Sequence, residues 1–175
     1  TLGVPDNQGN TTTIMPKLAY RFRVNFIGEG FSGVPTRSVI SVTRPGITHD
    51  EVMVDAYNSR IYLAGKHTWD PVSIVLRDDV DSAVLRELNN QLNRQVDHAN
   101  QQSVRAGSGY KFQMLIESLD GANPTPGVLD KFELAGCYIS NLQYGDMAYA
   151  NSDQVQVTVT ILSLIHISEP TRPNE

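Results

Sequence analysis

The sequence predicts a mainly β protein: an antiparallel two-sheet β-sandwich or barrel with one flanking α-helix, of a kind that assembles into a ring-shaped β-barrel. Three observations predict it. Several segments alternate apolar and polar residues with the period of two that a half-buried strand requires, residues 154–161 most cleanly. Only one segment, after Asp79, repeats apolar residues at helical spacing. Clusters of Gly, Pro, Asn and Asp separate these segments as turns and loops.

Taken in order, residues 1–14 are polar and read as an arm that buries little by itself. Tyr20, Phe22, Val24 and Phe26 alternate with Arg21, Arg23 and Asn25, which makes a first strand; residues 28–33 form a loop. Residues 39–43 make a second strand, ended by Pro45 and Gly46, which suit the central positions of a type II turn. Residues 51–56 put Val52, Val54 and Ala56 on one face and Glu51, Met53 and Asp55 on the other. Asn58 and Ser59 then turn the chain back into residues 60–64, giving a hairpin with one polar face. Gly65 breaks the pattern, Trp69 lies in a connection, and residues 72–77 add a strand with Val72, Ile74 and Leu76 on one face.

Val80, Val84, Leu88, Leu92 and Val96, with Leu85 beside them, predict the single helix, which Gly107 and Gly109 stop. Asp78, Asp79 and Asp81 at its start suit an N-cap and the positive end of the helix dipole. Its surface is rich in amides, among them Asn89, Gln91 and Gln95, which fit either a solvated face or a polar subunit contact. Tyr110, Phe112, Met114 and Ile116 then alternate along a strand, and residues 120–127 form a loop. Phe132, Leu134, Gly136 and Tyr138 share one face of a long strand, with Gly136 marking a bulge or a close backbone approach. In the last strand Val155, Val157, Val159 and Ile161 point inward and Gln154, Gln156, Thr158 and Thr160 outward.

Composition narrows the function. The 175 residues, 40% of them hydrophobic, are enough for one domain with a real core. A net charge of -5 without a Lys/Arg cluster argues against tight nucleic-acid binding. No apolar run approaches a membrane span, and no signal peptide opens the sequence. The lone cysteine, Cys137, reads as a small buried hydrophobe. His49, His67 and His98 lack the close spacing of a metal-binding pair, and no nucleophile elbow, Walker loop or dinucleotide fingerprint occurs, so neither metal, cofactor nor catalysis is expected. Trp69 reads as a core or interface anchor. Residues 162–172, LSLIHISEPTR, look like a translated sequencing-library adapter, so the expected organisation is an arm (1–14), a domain (15–161) and a non-native tail (162–175).

Long alternating strands with exposed ladders invite pairing with another chain, and head-to-tail repetition of such a contact can close into a ring. The hairpin at residues 51–64 is the natural place for it. Residues 61–79 (IYLAGKHTWDPVSIVLRDD), read with residues 15–26 (MPKLAYRFRVNF), 110–117 (YKFQMLIE) and 132–140 (FELAGCYIS), resemble the tail tube protein of contractile-tailed, T4-like phages, in the same order and spacing. The resemblance runs from about Met15 to Leu162; the arm before Met15 departs from it.

The resemblance implies a structural virion protein, assembled in the bacterial host cytoplasm, whose hexameric rings stack into the inner tube of the tail. Its partners would be further copies of itself, the tail sheath protein, and baseplate and tail terminator proteins. Phage DNA would pass through the bore without specific binding, and an acidic protein would let it slide. Asp50, Glu51, Val52, Val54, Asp55, Tyr57, Ile61 and Tyr62 on the hairpin, and Gln154, Gln156, Thr158 and Thr160 on the last strand, are the candidate subunit-interface or lumen residues. Two alternatives stay open: a tube of a contractile injection or type VI secretion system carrying protein effectors, and a monomeric β-sandwich that binds a ligand on Trp69 and Tyr62.

Overall fold

The computed structural model describes residues 3–5, 11–13, 16–28, 31, 36–103, 109–163 and 165–169. Within the predicted arm, β1 (Gly3–Pro5) and β2 (Thr11–Thr13) form a small antiparallel ladder; the rest of the arm lies outside the described residues. Next come β3 (Phe22–Ile27), β4 (Val39–Val42), the long pair β5 (Ile47–Ala56) and β6 (Ser59–Trp69), and β7 (Val72–Arg77). The helix α1 (Ala83–Gln95) leads into a short pair, β8 (Val96–Asp97) and β9 (Gln102–Ser103). The order closes with β10 (Phe112–Leu119), β11 (Val128–Tyr144), β12 (Gln156–Leu162) and β13 (Ile165–Glu169).

The main path of strands runs β3-β10-β11-β12-β7-β4, antiparallel throughout. It makes two sheets that share β11: the first half of that strand pairs with β10, the second half with β12. From the segment read as a foreign tail, β13 continues the register of β12 along β11, with Leu162 opposite Tyr138 and Ile165 opposite Ala135.

Alternation builds the core. Val72, Ile74 and Leu76 of β7 lie opposite Ile161, Val159 and Val157 of β12, and all six are within 2% of full burial. From the other sheet come Val24, Met114, Ile116 and Leu134, and Val84 and Leu88 of α1 complete a single apolar cluster. Phe31 stacks on Phe26 at 5.1 Å and meets Phe112 edge-on at 4.6 Å. Cys137 is buried as expected, and that burial pushes its thiol pKa up to about 12.

Bulges decide which face of β11 is inside. Gly136 takes φ +66°, and β11 carries an extra residue opposite β10 between Leu134 and Cys137. The phase of burial flips there, so Cys137 and Ile139 enter the core, not Tyr138 as simple alternation predicts.

Other expectations need correction for similar local reasons. Tyr20 precedes β3 and is 72% exposed, and Val155 precedes β12. Gly46 lacks the positive φ of a type II turn; its carbonyl accepts the Asp70 N–H at 3.0 Å, and the chain runs straight into β5. The hairpin turns at Tyr57 and Asn58, one residue earlier than predicted, with Tyr57 at φ +44°. The helix is shorter than its pattern, leaving Val80 fully exposed before it and Val96 extended after it. Its N-cap is Ser82, left-handed at φ 50° and without a side-chain cap bond; no acidic residue stands in the first turn. The three aspartates therefore precede the helix without capping it, Asp79 serving through its carbonyl, which accepts the Ser82 N–H at 2.8 Å. Of the turn expected at 107–109, only Gly109 is described.

Candidate assembly interface

Among the described residues three strand pairs, β1–β2, β5–β6 and β8–β9, stand outside the sandwich, and β5–β6 is by far the longest. β5 and β6 pair only with each other, in a ten- and an eleven-residue strand that project roughly 30 Å at about 3.4 Å per residue. The register sets two faces. Val52 lies opposite Leu63 and Val54 opposite Ile61, so these four aliphatic side chains form a ladder on one face, with Asp50 beside them. They are 43–53% exposed. The other face carries Met53 opposite Tyr62 and Asp55 opposite Arg60, the last pair joined Nε to Oδ1 at 2.8 Å. An exposed ion pair of this kind adds little stability.

Gly65 does not break the strand. β6 runs through it, and the register shift between His49 and Glu51 places Gly65 and Lys66 opposite Asp50 alone, a bulge. A Cβ on Gly65 would stand 2.9 Å from the Asp50 carbonyl oxygen, so the close approach requires glycine. Trp69 is likewise inside β6, paired with Ile47, and not in a connection. His67 lies edge-on to Trp69 at 6.2 Å and across from His49 at 6.1 Å, a juxtaposition that scattered spacing in the sequence did not reveal. Among the described residues no three His, Cys, Asp or Glu side chains gather into a metal-holding group.

The structure thus brings Asp50, Glu51, Val52, Val54, Asp55, Tyr57, Ile61 and Tyr62 onto one projecting element, all exposed, with Tyr57 at its tip. It does not bring Gln154, Gln156, Thr158 and Thr160 to the same place. Gln156, Thr158 and Thr160 lie on the face of β12 away from the core, beside Arg77, Val75 and Ser73 of β7; Gln154 sits in the preceding loop. Across β11 their neighbours are Gln143 and Asn141, so this face is amide- and hydroxyl-rich.

The helix amides were only partly read. Gln91 is 1% exposed and donates Nε2–H to the Tyr110 carbonyl. Gln95 donates to the Ile139 carbonyl at 2.9 Å and accepts the Ile139 N–H at 3.0 Å, continuing the ladder of β11 where β10 has ended. Tyr144 donates its hydroxyl to Asn89 at 2.8 Å. These three amides dock the helix onto its own chain.

No family model and no curated protein matches the sequence. Solved structures do. A chain of the anti-feeding prophage cap (the AFP tube terminating cap) superposes with a TM-score of 0.71 at 13% identity, covering 94% of this chain and 98% of that one. A chain of the PVC sheath/tube terminator, from an extracellular contractile injection system, gives 0.70 at 16% identity over 90% and 99%. The SPP1 tail tube gives 0.55 at 11% identity over 89% and 80%.

The chain has the tail-tube fold. Mainly β, antiparallel, with one helix, it matches the predicted fold class, and within a single copy the tail-tube sheet stays open, its path ending at β3 on one side and β4 on the other.

Proposed function

We propose that this protein is the inner-tube subunit of a T4-like contractile phage tail, self-assembling as hexameric rings that stack around a bore for the genome. One observation carries the reading: on a tail-tube fold, an isolated hairpin holds Val52, Val54, Ile61 and Leu63 about half exposed. A two-stranded hairpin is marginal in water, and an aliphatic ladder on a free element is stabilised by burial against another chain. Another copy is the partner that such a fold supplies. The role is structural and not enzymatic, the location the tail of the virion, and the further partners a sheath, a baseplate and a terminator. Arm, domain and foreign tail remain the proposed organisation.

A second reading, the tube of an extracellular contractile injection system with protein cargo, draws support from the higher TM-scores of the AFP and PVC chains than of the SPP1 tube. The amide and hydroxyl face of β12 suits passage of either cargo, since it offers no row of cations to hold phosphate.

Electron microscopy with mass measurement tests the assembly. The unaltered chain should form six-fold rings or tubes, while Val54→Asp and Ile61→Asp, each burying an unpaired charge at the contact, should stay monomeric with unchanged melting temperatures. Polymerisation of both variants like the parent would remove the hairpin from the contact, and a parent that stays monomeric at high concentration would remove self-assembly.

A further inference from the structure

We infer that the cleft between the two open ends of the sheet, β3 and β4, receives the apolar face of the hairpin of the next copy. This rests on the tube reading and names the acceptor surface it leaves unspecified.

The cleft measures about 480 Å³ and opens where the path of strands stops. Half-buried Phe22, Val42 and Phe132 line it, each packed against the core from its other side. The charged residues of its lining are all cations: Lys17, Arg21 and Arg44. Two of these are fixed in place, Lys17 by Asp130 at 2.6 Å and Arg21 by the Asp120 carbonyl at 2.7 Å. No residue of the chain's own hairpin lines the cleft.

The hairpin presents the complement. Its ladder of Val52, Val54, Ile61 and Leu63 is aliphatic, and Asp50 stands on that same face. Opposite charge orients the approach, while aliphatic burial supplies the affinity. Donor and acceptor are different surfaces, and β5 begins at Ile47, close after β4 ends at Val42. Every copy therefore carries both halves side by side. A contact of this heterologous kind propagates head to tail and closes into a ring when its rotation permits.

Charge exchange and cross-linking test the pairing in the full-length chain. Arg44→Glu alone and Asp50→Lys alone should each raise the concentration needed for assembly about tenfold, and the two together in one chain should bring it back to within about threefold of the parent. Leu63→Cys chains mixed with Leu18→Cys chains should form disulfide-linked pairs under mild oxidation, and neither should do so alone; the buried Cys137 gives no background. Leu18 lines the cleft and is 43% exposed. If tubes form but the double charge exchange fails to rescue and the mixed cysteines do not link, the cleft is not the acceptor, though the tube reading stands. A monomeric Val4→Cys/Leu18→Cys chain that links internally would give the cleft to the chain's own arm and overturn the proposal. A parent that never assembles overturns both readings.

Discussion

Two regions of this chain are written in the same alphabet and end in opposite environments. In β12, Val157, Val159 and Ile161 alternate with polar residues and are 1–2% exposed; in the hairpin, Val52, Val54, Ile61 and Leu63 likewise share one face, with Met53 and Tyr62 behind them, and are 43–53% exposed. Period-two patterning shows that a strand has one face meant for burial, but it does not say which molecule provides the other side. For β12 the partner is the facing sheet and the helix; for the hairpin, on the reading proposed above, it is another copy.

The comparison breaks first in the core. Val159→Asp puts a charge among Ile74, Leu76 and Leu88 with nothing to pair it, and should unfold the chain outright, a loss of about 4 kcal/mol or more visible by urea or thermal denaturation. The chemically identical Val54→Asp should leave the melting temperature alone. If both variants unfolded the monomer, the hairpin would belong to the core and the contrast would be void.

A change of intermediate size asks how the helix is held. Gln95→Leu leaves the N–H and C=O of Ile139 without the amide that serves both, so it should cost about 2 kcal/mol, read as a lower urea midpoint with the hairpin's assembly surface unaffected. A neutral result would mean that Gln91, Asn89 and the apolar packing of Val84 and Leu88 hold the helix without Gln95.

The smallest effect concerns charge. Burial works against ionised Asp130, but hydrogen bonds from Lys17 and Ser118, with the nearby charges of Lys17 and Arg44, hold its carboxyl below the usual 3.8. A lowered folded-state pKa contributes stability that is present above 3.8 and lost as pH falls through the folded value. Asp130→Asn should thus cost about 1 kcal/mol at most near neutrality, and its deficit relative to the parent should shrink below pH 3.8, which paired denaturation curves would reveal. A deficit independent of pH would assign the effect to packing.

The sequence was legible where burial follows from local pattern. Val72, Ile74, Leu76, Val157, Val159 and Ile161 all fall where alternation places them, and Val84 and Leu88 where helical spacing does. It was illegible where one residue depends on a distant backbone. Nothing local to Gln91 or Gln95 says that the carbonyls of Tyr110 and Ile139 lie within reach, and the inserted residue at Gly136 reverses inside and outside for Cys137 to Ile139, until a second shift before Asn141 returns Leu142 to the core side. Gly65 read as a terminator because glycine weakens strands; here it permits the bulge that lets β6 continue past Asp50. For the hairpin, composition and faces were readable and both faces proved exposed, whereas Gln154, Gln156, Thr158 and Thr160 were grouped with it only by pattern. Gln156, Thr158 and Thr160 sit in the middle of the sandwich's second sheet, with β11 on one side and β7 on the other, and Gln154 lies in the loop before it.

The sharing of β11 between the two sheets has a mechanical meaning. Sheets that merely pack can slide across one another, because dispersion contacts reform after a small shift. Here a single covalent strand of 17 residues, roughly 55 Å long at full extension, runs from one sheet into the other. A sideways pull on β10 is passed to β12 through peptide bonds, and the two layers shear only if that backbone is itself deformed.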